Sequence, residues 1–153
     1  MSHWYSMQLS ATGQPLQRID HDTLPVAGAG QVVICVKACG VCRTDLHIVD
    51  GDLSFPSHPV VPGHEVVGTV VALGAGITSV KEGDRVGVPW LGWTCGNCEA
   101  CSSGHENLCE KARFTGYQIP GGMPSTQLPM CVMCSPYRPP TPTSRPRRYS
   151  ALA

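Results

Sequence analysis

VVPGHEVVGTVVALG, residues 60–74, is the stretch whose reading decides the architecture. Its second part, VVGTVVALG at 66–74, is a run of β-branched residues ending at a glycine, the composition of a strand. Upstream, QVVICVK (31–37) alternates at a strand-like period after the Gly/Pro-rich PVAGAGQ. Downstream, GDRVGVPW (83–90) opens a third strand from a Gly-Asp turn. Between the first two strands, RTDLHIVDG (43–51) reads as one short helix ended by Gly51. WLGWTCGNCEACSSGHENLC (90–109) has no periodicity and reads as loop. Many short strands with Gly/Pro punctuation and little helix predict a mostly β fold, an antiparallel barrel or sandwich.

At 153 residues the chain is long enough for one domain with a core. Its formal net charge is +0, so nothing global points to nucleic acid or to a membrane surface. No apolar run approaches the ~20 residues of a membrane span. The N-terminal MSHWYSMQLS lacks the charged start and apolar stretch of a secretory signal. A cytoplasmic location is the expectation. There nine cysteines point to metal more readily than to disulfides.

Cys95, Cys98, Cys101 and Cys109 follow the spacing C-x2-C-x2-C-x7-C. Four thiolates on a short glycine-punctuated loop match a closed, tetrahedral structural zinc site. Zinc would staple a loop that has little else to set against its conformational entropy. An iron–sulfur cluster is a rival, as are free or oxidised thiols. The bacterial cluster pattern, however, places its fourth cysteine after three residues and before a proline, and neither holds here. Cys42 and His64 are weak signals separately, since a lone cysteine usually packs and a lone histidine on a turn is usually structural. Cys42 does open the short helix, where the helix dipole favours a thiolate, and Glu65 stands beside His64.

ACGVCRTDLHIVDG, VVPGHEVVGTVVALG, EGDRVGV and the four-cysteine loop follow one another in the order found in the zinc-dependent medium-chain alcohol dehydrogenases. The resemblance covers residues 7–122 and implies their N-terminal domain, a GroES-like, partly open β-barrel with short helices and a zinc-binding loop. Likeness to the co-chaperonin lies in the fold alone. The resemblance implies that Cys42 and His64 bind a catalytic zinc, with Glu65 the acidic residue beside it. It implies that Thr44 and His47 relay the alcohol proton to solvent and that Arg43 contacts the pyrophosphate of NAD or NADP. It makes Cys95, Cys98, Cys101 and Cys109 the structural zinc ligands. Such a zinc acts as a Lewis acid on a bound alcohol, and the hydride then passes to the nicotinamide. The substrate class implied is a small alcohol, oxidised to an aldehyde or ketone. The alcohol itself, the choice of NAD or NADP and the oligomeric state depend on parts of the family that these residues do not match. Cys35 reads as core, and Cys39 makes a C-x-x-C with Cys42 that the zinc pattern already claims. His3, His21, His58 and His105 read as surface or local structure. Trp90 and Trp93 border a cleft or anchor packing.

The chain changes character at residue 122. Residues 1–122 hold all 17 glycines, and their seven Lys/Arg against eleven acids give a net charge of −4. Residues 123–153 hold no glycine and no acid, half of the 14 prolines and four arginines, for +4. A single base lost after the Gly122 codon accounts for this. Methionine has one codon, so restoring the frame forces alanine at position 124 and valine at positions 131 and 134. The remaining permitted codons allow G-G-Y-A-E-Y-A-V-A-D-V and, near the end, P-L-L-C-A-G, words the resembled family uses. On that reading 123–153 is an out-of-frame, disordered tail. Ala151 then stands where a third zinc ligand belongs, the Rossmann domain is absent, and the 153-residue chain is inactive alone. The alternative is a zinc-stapled β-barrel that acts as a binding module through its basic tail.

Overall fold

A computed structural model describes residues 4–54, 56, 59–123 and the backbone of 130–134. The elements run β1 (Trp4–Gln8), β2 (Gln17–His21), β3 (Val32–Gly40), α1 (Arg43–Asp50), β4 (Glu65–Leu73), β5 (Arg85–Val88), β6 (Leu91–Trp93), α2 (Glu99–Ser102), a 3-10 turn (Glu106–Leu108), β7 (Arg113–Phe114) and β8 (Met130–Cys134). They form a four-stranded sheet in the order β5-β4-β3-β8 and the pairs β1-β2 and β6-β7, all antiparallel. The expected mostly β, partly open architecture with short helices is what forms.

The central pair is β3 and β4, the two β-branched runs from which the fold was read. Val32, Ile34 and Val36 of β3 and Val66 and Val70 of β4 bury one face, closed by Val61 and Val88. The β3–β4 register slips between Val33 and Ile34 and again between Val36 and Ala38. Such irregularities bend a strand and increase its twist, which curls an open sheet toward a barrel. A second cluster holds α1. Ile48 packs with Leu9 and Val60, and Leu9 and Val60 exchange backbone hydrogen bonds of 2.7 and 3.0 Å.

Three expectations need correction. Cys35 is half-buried rather than core, because the core face of β3 belongs to its even-numbered neighbours. The stretch 90–109 is not wholly loop. Leu91–Trp93 pairs with Arg113–Phe114, while the cysteines wind into α2 and the 3-10 turn. Elements this short carry no hydrophobic period that a sequence window registers. The segment expected as a disordered tail contains β8, which pairs with β3 from Val32↔Cys134 to Val36↔Met130. The edge of β3 left open by β4 offers unpaired backbone groups to any strand-compatible segment, whatever its side chains. Ala151, His3 and His58 lie outside the described residues. β1 and β2 were not read from the sequence at all. Four residues of β2 are exposed, so it lacks an apolar pattern.

Candidate metal centres and relay

The four-cysteine loop brings its sulfurs together. Sγ of Cys95 lies 4.0 Å from that of Cys101 and 3.6 Å from that of Cys109, and all four ligand atoms lie within 4.8 Å of one another. A tetrahedral zinc with ~2.3 Å Zn–S bonds separates its sulfurs by about 3.8 Å. The quartet therefore fits zinc at four positions and leaves none open. Turns place the thiols: Gly96 and Gly104 take the left-handed φ values of 72° and 80°, and Cys98 caps α2. The thiols do not share charge evenly. The backbone N–H of Asn97 leads in holding the Cys95 thiol down at about 6. At Cys98 the backbone of Cys101 favours the thiolate, but the sulfurs of Cys101, Cys95 and Cys109, together with burial, push it up to about 11. Crowded sulfurs that resist simultaneous ionisation are what a divalent cation relieves.

Cys42, His64 and Glu65 form the second group, their ligand atoms also within 4.8 Å. Cys42 caps α1, while His64 and Glu65 sit where the Pro-Gly turn enters β4. His64 is buried. Its Nδ1 lies 3.3 Å from Oδ1 of Asp45, out of line for a hydrogen bond, and has no hydrogen-bond partner among the described residues. The set grades from buried His64 through half-buried Cys42 to exposed Glu65, and its thiol, imidazole and carboxylate are donor types that fit an incompletely ligated zinc. Gly63 makes the turn possible: its φ is +99°, and a Cβ there would stand 2.7 Å from Sγ of Cys39 and 2.6 Å from N of Met123.

Sequence reasoning missed Asp45, which ties these segments together. Its carboxylate accepts the N–H of Cys42 at 2.8 Å and the N–H of Gly63 at 2.9 Å, and the residue is 1% exposed. The signal was present in C-R-T-D. An acid at the third helical position reaching back to the N-cap is half of a capping box. Trp90 is the packing anchor of the two roles considered for it. It stacks on Phe114 and Tyr117 and meets the His64 ring edge-on at 4.8 Å. Trp93 is exposed at the end of β6.

The relay candidates share α1. Oγ1 of Thr44 accepts the Cys42 thiol at a long 3.8 Å, and His47 lies three residues further along, on the same helix face. His47 pairs with Asp52. Arg43 is exposed at the first helical position. Cys39 remains apart from the metal group, its thiol directed to the carbonyl of Gly40 at 3.4 Å, and the seven described cysteines are free.

Residues 28–131 match the alcohol dehydrogenase GroES-like domain. The match runs nine residues beyond Gly122. An alcohol dehydrogenase of Moraxella sp. (strain TAE123) is 52% identical over 110 residues, covering 71% of this chain and 32% of the relative. One from Geobacillus stearothermophilus is 47% identical over the same length and shares. Among solved structures, a cobalt- and zinc-bound thermostable alcohol dehydrogenase from Pyrobaculum aerophilum superposes with a TM-score of 0.76 at 29% identity. It covers 88% of this chain and 39% of that one. The chain thus spans about a third of the length of the curated relatives it matches. The motif order, the two convergent donor sets and the matched domain agree: the chain belongs to the zinc-dependent medium-chain alcohol dehydrogenase family and carries its N-terminal GroES-like domain.

Proposed function

We propose that this domain is the zinc-binding half of an NAD(P)-linked dehydrogenase that oxidises small alcohols to aldehydes or ketones. The carrying observation is the pair of donor sets, one closed with four sulfurs and one open with Cys42, His64 and Glu65. Zinc bound at the open set supplies Lewis acidity, and a nicotinamide cofactor on a second domain takes the hydride. The chain's own residues do the rest. Asp45 fixes the spacing of the two ligand segments, Trp90 walls one side of His64, and Glu65 stands at the exposed rim. Thr44 offers a hydroxyl beside Cys42 to take the alcohol proton, and His47 passes it outward. Arg43, exposed at the start of α1, is the cation we assign to a phosphate of the cofactor. The free thiols favour a reducing, cytosolic setting. No helix among the described residues is long and apolar enough to cross a membrane.

Alcohol-dependent reduction of NAD or NADP is the test. The 153-residue chain alone gives none, and residues 7–122 joined to the whole remainder of a relative, its third zinc ligand included, give turnover that His64→Ala abolishes. Turnover that survives His64→Ala overturns the assignment.

We further propose that residues 7–122 are the native domain and that 123–153 is read out of frame. The valines forced at 131 and 134 are strand formers, which supports the same β8 position in the restored sequence. Sequencing the coding DNA from the Gly122 codon onward decides it. An additional base restores the family's words, and an unchanged reading with no dehydrogenase sequence in the neighbouring frame refutes the proposal.

A further inference from the structure

His64 leaves a turn whose carbonyls are all held from elsewhere in the chain. Leu9 donates its N–H to the carbonyl of Val60 at 2.7 Å, and the next three carbonyls take N–H groups from one short segment. Gly121 donates to Val61 at 2.7 Å, Met123 to Pro62 at 2.9 Å and Gly122 to Gly63 at 3.0 Å. The Asp45 carboxylate, in turn, accepts the N–H of Gly63 at 2.9 Å. Two backbones can approach this closely only where no Cβ intervenes. A Cβ at Gly121 would overlap the carbonyl oxygen of Gly63 and stand 2.6 Å from that of Pro62. One at Gly116, on the next turn, would stand 2.9 Å from the nitrogen of Gly63.

We infer that the backbone of residues 121–123 is a brace that positions His64, and that Gly121 is the positioning residue that lets the brace lie against the ligand turn. The inference rests on the reading of His64 as a metal ligand. A ligand side chain is only as well aimed as the backbone that carries it. The imidazole is buried, lies with Cys42 in the open donor set and meets the Trp90 ring at 4.8 Å. A turn that shifts therefore carries the ring away from Cys42 and from Trp90 together. The brace bonds through backbone N–H groups alone, so at position 123 any residue but proline supplies what it needs. The change in composition after Gly122 leaves it whole.

The experiment is a ¹H–¹³C correlation of the histidine ring C–H groups in the ¹³C-labelled 153-residue chain, at one fixed pH where imidazole is neutral. The His64 signal, identified by its absence from His64→Gln, is expected to be displaced from the free-histidine position by the ring current of Trp90. Met123→Ala keeps the N–H and leaves the signal in place. Met123→Pro, which lacks the N–H, and Gly121→Ala, which adds the Cβ, both move it toward the free-histidine position. His21, stacked on Trp4 in the β1–β2 pair, reports the fold, and its signal is expected to stay where it is. An undisplaced His64 signal in the wild-type chain overturns the inference, as does one that Met123→Pro or Gly121→Ala leaves unmoved. Loss of the His21 displacement in those variants overturns it too, because the segment would then serve the whole fold rather than His64. The readout needs neither metal nor nucleotide, so its failure leaves the zinc-ligand reading standing. That reading fails separately, if turnover of the joined protein survives His64→Ala.

Discussion

Asp45 shows how one buried carboxylate can organise a site whose chemistry belongs to others. It is almost fully enclosed, and its charge is answered by the N–H groups of Cys42 and Gly63. Hydrogen bonds to an ionised acceptor contribute roughly 1.5–3 kcal/mol each, and an orphaned donor adds its own desolvation cost. Asp45→Ala is expected to lower stability by about 3 kcal/mol in urea denaturation. It should also abolish metal binding at Cys42 and His64 while leaving the four-cysteine loop loaded. Retained metal at both sites would remove Asp45 from its organising role. Cys39 makes a second test at this scale. Burial leads in pushing its thiol up to about 11, with the charges of Asp45 and Glu65 adding to it against a backbone hydrogen bond from Glu65. The folded state therefore favours the proton. The contribution is intact below the ordinary thiol value of 9.0 and is lost as pH rises through about 11. Iodoacetamide at pH 8 should label Cys39 far more slowly in the folded chain than in urea, a difference that peptide mapping reads directly. Equal rates would mean that the pocket around it is open.

The element scale separates what the sequence discloses from what it hides. β3, β4 and α1 were legible because dense β-branching and a terminal glycine are local signals of strand and helix end. Their boundaries shifted by only a few residues. β2 was not legible, since a mostly exposed strand has no apolar alternation to read. β8 was hidden for another reason: it is ordered by an available edge on β3 rather than by its own composition. At the site, the four spaced cysteines stood out by themselves, whereas Cys42, His64 and Glu65 were legible as a candidate set only through the family resemblance. Asp45 acts through capping geometry, and its importance appears only once the chain has turned back on itself. The helix that carries Cys42, Thr44 and His47 is anchored through Ile48, 1% exposed, against Leu9 and Val60. Ile48→Ala should cost about 2–5 kcal/mol of unfolding free energy. A loss below ~1 kcal/mol would mean that the second cluster does not seat the helix.

For the whole molecule, the fold divides into a sheet held by apolar burial and a loop held by its sulfurs. The β5-β4-β3 face buries valines and an isoleucine that need no metal. Residues 95–109 bury only Cys109. Removing zinc with a chelator should therefore expose the stretch 95–112 to limited proteolysis while the sheet keeps its amide-exchange protection. Simultaneous loss of both would make the metal a requirement for the entire fold. The two donor sets should also differ in grip, because four thiolates hold zinc more firmly than one thiolate, one imidazole and an exposed carboxylate.

The most direct measurement is the metal content of the purified 153-residue chain by elemental analysis after dialysis against a chelator at moderate strength. The account predicts about one zinc per chain, retained in His64→Ala and lost in Cys98→Ser. Iron with labile sulfide in place of zinc, or zinc that survives Cys98→Ser undiminished, would contradict it.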